Sequence, residues 1–302
     1  MAIIELNLKG NPVGTATSSA AKAALATIGV KATVFDGQGR PDVIQQAFNS
    51  AISQKVAAII ADVDLTAVPA SVAAAKAAGI PVIDLGAEVG DAKKPGVAAN
   101  VGWVSKDIGK WQADVALVAT KCQLHTATVT LTGAQHIGVM AQASVNEVKA
   151  LCPKNCTIVK IVGNPATLAT TLTGQIETAI QRIPNVNYLI TTVDFFLPLI
   201  TPALKATNHA DLPIGGGAQG DGLADAIAGK NGMVSVVQFP PTEYTGYENA
   251  DTAIRAALGK ATDGKVPVRL LDKSNWGTNA SPTAQYPNQP TWIAAFKTAW
   301  GA

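Results

Sequence analysis

Short apolar runs alternate with alanine-rich stretches of helical spacing along most of the chain. The clearest example is Val56–Glu88, VAAIIADVDLTAVPASVAAAKAAGIPVIDLGAE. Ala57–Ala61 is an apolar run of strand length, and Asp62, Asp64 and Thr66 after it supply turn and cap chemistry. Val68–Ala78 is alanine-rich with apolar residues at helical spacing, and Gly79 stands where a helix end needs left-handed backbone. Ile80–Leu85 is a second strand-length run, with Pro81 near its start, where a missing N–H does least harm. Strand, helix, strand over this span is a βαβ unit, so the strands are parallel and the crossover right-handed.

The same alternation runs in both directions from that unit. Strands are predicted at Ile3–Leu8, Lys31–Phe35 and Val97–Asn100, with helices at Thr15–Ile28, Val43–Ser53 and from Ser105 to Lys121. The pattern then restarts with strands at Ala127–Leu131, Thr157–Val162, Val186–Thr191, Pro213–Gly216, Met233–Phe239 and Val268–Leu271. Between them lie helices at Val139–Leu151, Thr171–Ile183, Phe196–Ala206, Leu223–Ala228 and Tyr247–Leu258. A polar, proline-bearing stretch, Asp272–Gln289, leads to a short amphipathic end, Trp292–Trp300. Two successive β/α series predict an α/β fold of two doubly wound lobes with parallel sheets.

Composition supports a packed interior and narrows the function. Of 302 residues, 48% are hydrophobic, 15% charged and 5% aromatic, so the core is built from Ala, Val, Ile and Leu. A net charge of +2 gives no electrostatic footprint for nucleic acid. No apolar run approaches the roughly 20 residues of a spanning helix. The opening MAIIELNLKG reads as a strand; if the protein is exported, its leader has been removed ahead of Met1. Cys122, Cys152 and Cys156 all precede strands, so neighbouring strands would bring the three thiols to one sheet edge. The spacing with His125, C-x₂-H…C-x₃-C, also fits a zinc set, but a disulfide or buried free thiols is the preferred reading.

In parallel α/β sheets ligands bind beyond the C-terminal ends of the strands, where loops and helix N-termini converge. The candidates there are Asn7, Asn11, Asp62, Asp64, Gly86, Ala87 and Asn100 in the first lobe. In the second they are Ala134, Gln135, His136, Asn164, Asp194, Gln219 and Gln238. Asp62 and Asp64 are better read as helix caps. Trp103, Phe195, Phe196 and Trp276 are candidate aromatic walls. Gly215–Gly220 satisfies G-x-G-x-x-G, but it falls late in the chain and its expected acidic partner is met only weakly by Glu243. Neither G-x-S-x-G nor H-E-x-x-H occurs, and the three histidines lack a nucleophile at motif spacing, so no enzyme activity and no cofactor is expected.

The run A-x-x-A-G-I-P-V-I-D, with the length and order of the elements, resembles the type I periplasmic sugar-binding proteins of the ribose-binding kind. The resemblance implies lobes at 1–100 plus 239–271 and 101–238 plus 272–302, with hinge crossings near Asn100, Gln238 and Asp272. Gly10-Asn11-Pro12 matches the family's Asn-Asn-Pro in part, giving Asn11 a ligand-bonding role while the following aromatic pair is Val13 and Gly14. Val193-Asp194 stands for Asn-Asp, and Ala218-Gln219-Gly220 for Phe-Asp-Gly. Val237-Gln238-Phe239-Pro240 matches the hinge glutamine, and Lys273-Ser274-Asn275 resembles the third crossing. The family's Asp-Arg after the I-P-V strand is replaced by Gly86 and Ala87, and a second arginine is absent near Val139-Met140. A neutral, amide-rich pocket follows, suited to a sugar, polyol or related small solute. The resemblance further implies a monomeric, extracytoplasmic protein that hands its solute to ABC permease subunits. The same fold also serves as the effector domain of transcription regulators, and the glycine run leaves a nucleotide-dependent oxidoreductase as a lesser reading.

Overall fold

The computed structural model describes residues 1–9, 12–85, 93–132, 135–164, 167–218, 233–272 and 289–301. The chain divides into two compact units. Unit 1 comprises Met1–Trp103, Pro240–Pro267 and Asn288–Ala302; unit 2 comprises Val104–Phe239 and Val268–Pro287.

Unit 1 is built on β1 (Ala2–Glu5), β2 (Thr33–Asp36), β3 (Ile59–Asp62), β4 (Val82–Asp84), β5 (Val97–Gly102) and β11 (Gly264–Lys265). Their order is β11-β5-β4-β3-β1-β2, and every pair is parallel. Strand alternation splits the core between the two faces. Ile4, Ala61 and Val82 meet Ile44 and Phe48 of α2 (Pro41–Ser53) and Val72 and Ala75 of α3 (Pro69–Ala77). Ile3, Ile60, Ile83 and Ala99 meet Ala21 of α1 (Pro12–Ala26) and Ala253 and Ala256 of α8 (Thr242–Ala257). Pro41 and Pro69 open their helices at a position whose N–H has no partner in a helix, and Gly79 follows α3 at φ +72°.

Unit 2 repeats the plan with β6 (His125–Leu131), β7 (Thr157–Gly163), β8 (Tyr188–Thr191), β9 (Ile214–Ala218), β10 (Met233–Gln238) and β12 (Arg269–Asp272). The order is β12-β10-β9-β8-β6-β7. Helices α4 (Ser105–Ala119) and α5 (Gln135–Leu151) pack together, as do α6 (Leu168–Arg182) and α7 (Leu197–Ala206). The fold is thus the expected one, two doubly wound α/β lobes. No described helix is long and apolar enough to cross a membrane.

Several details differ from expectation. The chain passes between units after Trp103, Phe239, Pro267 and Pro287, so the third passage precedes β12 instead of following it at Asp272. β12 therefore pairs in unit 2 and runs antiparallel to β10. β10 leaves unit 2 where β12 enters it, and strands that leave and enter by one edge must oppose each other. The two-residue β11, which carries too little pattern to be predicted, completes the sheet of unit 1. The final helix, α9 (Gln289–Trp300), belongs to unit 1 and not to the second lobe. Its Trp292, Phe296 and Trp300 contact Tyr247 of α8, and the Trp300 indole N–H donates to Asp251 at 2.8 Å. The predicted helix Leu223–Ala228 lies outside the described residues.

Cys152 and Cys156 form a disulfide, and Cys122 is a free, exposed thiol. Cys152 Sγ lies 3.2 Å from the Cys122 carbonyl, so the cysteines do gather at one edge of the sheet. The disulfide takes up two of the four ligands of the zinc reading, and no metal-holding cluster occurs among the described residues.

Candidate functional site

Four adjacent strands of unit 1 end alike: AIIE, TVFD, IIAD and VID. Register places Glu5 beside both Asp36 and Asp62, while Asp84 pairs with Ala61 on one side and Asn100 on the other. The C-terminal edge of this sheet therefore carries a row of carboxylates. Of the four, only Asp62 was a candidate from sequence, and then as a cap. The recurrent apolar-apolar-acid ending was the signal that could have found the others.

Three of these acids are answered from within. The Asp36 carboxylate accepts the Leu8 amide at 3.1 Å and the Gln38 amide at 2.9 Å, tying the loop after β1 to the end of β2. Asp84, fully buried, pairs with the Lys94 ammonium at 2.9 Å. Glu5 is 1% exposed; its Oε1 accepts the Ser18 hydroxyl of α1, and its Oε2 meets no donor. Burial, then the neighbouring Asp62 charge, pushes its pKa up to about 8, so near neutrality Glu5 is chiefly a neutral acid.

Asn7 stands half-buried in the loop pinned by Asp36. Asn100 is fully buried, and its amide N–H donates to Asp263 at 3.0 Å, which also meets Lys93 at 3.3 Å. Its side chain is closed to solvent. Trp103 packs against the core of Ile3, Ile60 and Ile83. Asp64 is the cap expected of it, accepting the Thr66 amide at 2.9 Å and its hydroxyl at 2.6 Å. Asp62 stands beside Glu5. Asn11 and Ala87 lie outside the described residues.

Unit 2 presents a different edge. Asp194 follows β8, half-buried at the start of a 3₁₀ turn, with Phe195 59% exposed and Phe196 buried. His136 is half-buried in the first turn of α5, and Asn164 is exposed after β7. Gln112, missed by sequence reasoning, donates from α4 to the Thr192 carbonyl at 3.2 Å. The Thr192 hydroxyl in turn donates to the Val129 carbonyl at 2.8 Å, tying β8 to β6. Gln219 and the side chains of Gln135 and Gln238 lie outside the described residues.

The glycine run has a packing explanation. Gly215, Gly216 and Gly217 are not in a loop but within β9. The Tyr188 hydroxyl on β8 and the Ser235 hydroxyl on β10 bond at 3.0 Å across Gly215, where any Cβ would collide with both. A Cβ at Gly216 would strike the Thr191 carbonyl, and one at Gly217 the Thr192 carbonyl and Phe239 ring. These are close approaches of strand to strand, which removes the ground for a dinucleotide loop. Two surface grooves, about 630 Å³ between β7 and α6 and about 680 Å³ beside α3, contain none of the candidate residues.

The family model described as the periplasmic binding protein domain matches residues 6–261, most of the chain. The chain belongs to that family. This periplasmic binding protein shares its two-lobed type I fold with several solved structures. One is an ABC transporter solute-binding protein from Mycobacterium smegmatis with bound glycerol, 21% identical over 91% of this chain and 94% of that one, with a TM-score of 0.76. Another, from Bacillus halodurans with bound myo-inositol, is 17% identical over 91% and 94%, with a TM-score of 0.75. A third is a carbohydrate transporter solute-binding protein from Agrobacterium radiobacter in complex with D-arabinose. It is 16% identical over 94% and 97%, with a TM-score of 0.72. No curated protein matches by sequence.

Proposed function

We propose that the protein is the extracytoplasmic solute-binding component of an ABC importer, which closes two lobes on a small neutral polyol or sugar and delivers it to a membrane permease. The observation that carries this reading is the family match over residues 6–261. Neighbours of the same fold hold glycerol, myo-inositol and D-arabinose, all uncharged and rich in hydroxyls. The strand-end chemistry supports a neutral cargo. In unit 1 Asp84 is neutralised by Lys94 and Glu5 carries its own proton, so the acidic row offers far less charge than its composition suggests. In this reading Asn7, Asn11, Gln219 and Gln238 exchange hydrogen bonds with the solute, as do Gln135 and His136. Asp194 accepts from its hydroxyls, the Ala87 position leaves room beside them, and Phe195 offers a ring face. Asn100 and Trp103 support that edge from within unit 1. The protein works as a monomer without a cofactor.

A thermal-shift screen against glycerol, myo-inositol, pentoses, hexoses and nicotinamide nucleotides tests the reading. A solute at a hundred times its Kd stabilises the fold by about 2.7 kcal/mol. Asp194→Ala is expected to weaken such binding at least tenfold, consistent with loss of a charge-assisted hydrogen bond. Stabilisation by nucleotides alone would overturn the proposal. Loss of solute uptake by cells lacking the protein tests delivery.

A further inference from the structure

Glu5 is almost wholly buried in the carboxylate row, and the solute-binding reading gives it no contact with the solute. Its side chain leaves β1 on the α1 face, where it is 1% exposed and receives the Ser18 hydroxyl on Oε1. Oε2 is buried without a donor, next to the Asp62 carboxylate at the end of the neighbouring strand. Two ionised carboxylates in register at a sheet edge repel each other, and a buried oxygen without a donor is costly. One proton resolves both problems, because a protonated Glu5 donates from Oε2 to Asp62.

We propose that Glu5 and Asp62 share a single proton, and that this proton latches the ends of β1 and β3 so that the edge loosens as pH rises. The latch joins three elements. Ser18 brings in α1, Asp62 brings in β3, and the β1 end carries the loop in which Asn7 stands. Around it the Leu6 amide donates to the Asp62 carbonyl at 3.1 Å and the Gly37 amide to the Glu5 carbonyl at 2.7 Å. Charged groups stand about the pair on several of the described elements. Asp36, in register on β2, is engaged by the Leu8 and Gln38 amides. Lys22, the one charged residue of α1, is exposed, and α2 packs on the opposite face of the sheet. On α8, the nearby acid Glu248 lies against Gly264 of β11. The consequence for solute affinity rests on the binding-protein reading; the latch itself does not.

Amide hydrogen exchange tests the latch without any solute. The opening constants of the Leu6, Leu8 and Gly37 amides, corrected for intrinsic exchange, should rise close to tenfold per pH unit from pH 6 towards 8 and then level off. Glu5→Gln keeps a donor and loses the charge, so its profile should be flat. In the unaltered protein the Glu5 carboxyl carbon, followed by ¹³C NMR, should titrate with a midpoint above 7, and Asp62→Asn should move that midpoint down. A Glu5 midpoint below 6, or a flat exchange profile in the unaltered protein, would overturn the latch, while the family match that carries the solute-binding reading would stand. Solute binding that fails while the latch titrates as described would do the reverse.

Discussion

The two sheets share a strand order and a helical dressing, yet their strands end in opposite chemistry. In unit 1 four adjacent strands finish on Glu5, Asp36, Asp62 and Asp84. In unit 2 the parallel strands finish on Leu131, Gly163, Thr191, Ala218 and Gln238, all uncharged. Helix N-termini meet the C-terminal edge in both and favour negative charge there. Unit 1 meets that preference with carboxylates, and then covers most of them with amides, a lysine and a proton. Unit 2 is tied at its edge by neutral hydrogen bonds from Gln112 and Thr192. One fold thus supports a titratable edge and a largely neutral one, and the difference lies in single residues at strand ends.

The interiors differ as well, and this contrast gives the largest expected effects. Unit 1 fills the space between its sheet and α2 with Phe48, which is wholly buried. Phe48→Ala should cost about 3–5 kcal/mol, read as earlier urea unfolding of unit 1 by segment-resolved hydrogen exchange. Unit 2 instead leaves three side chains out of β9. Gly216→Ala drives a methyl into the Thr191 backbone and should cost about 3 kcal/mol, confined to unit 2. An equal loss in unit 1 would break the comparison.

The pH response sharpens it. Glu5 is raised to about 8 and Glu248 to about 7, both first by burial, with a neighbouring acid, Asp62 or Asp251, adding to the shift. An acid whose folded pKa exceeds its unfolded value binds more protons when folded. Its stabilisation is therefore full below about pH 4.5, falls as pH rises, and levels off above the folded pKa. Unit 1 should accordingly lose roughly 2 kcal/mol between pH 5 and 8 after discounting for partial exposure, with unit 2 changing less. Urea midpoints of each unit at the two pH values check this. The smallest effect is Tyr188→Phe, which removes the bond over Gly215 and should cost unit 2 about 1 kcal/mol by the same assay.

Much of the fold was legible because parallel α/β sequence is periodic. Val56–Glu88 reads as strand, helix and strand on apolar spacing and Gly79 alone. What escaped was non-periodic. Two residues cannot announce β11, and the direction of β12 depends on where the chain re-enters unit 2, which no local pattern records. The placement of α9 turned on aromatic contacts to Tyr247, far away in sequence. Gly215–Gly217 shares the spacing of a phosphate loop, and sequence does not show the Tyr188 and Phe239 rings that occupy the vacated volume. At the candidate site, Asp64 was readable as a cap from its neighbours, whereas Glu5, Asp36 and Asp62 form a row only once the register of three strands is known.

The passage of the chain out of unit 1 after Trp103 and back after Phe239 also orders events at the ribosome. Of the strands described in unit 2, all the parallel ones lie within one uninterrupted stretch, and the edge strand β12 arrives later. Unit 1 is synthesised first but waits for α8, β11 and α9, so the part of its sheet that α8 covers beside α1 stays bare while all of Val104–Phe239 is made. At roughly 5–20 residues per second that wait lasts many seconds. The half begun earlier is therefore finished last, and it is the nascent unit 1, with Ile60, Ile83 and Ala99 uncovered, that most needs shielding from other chains.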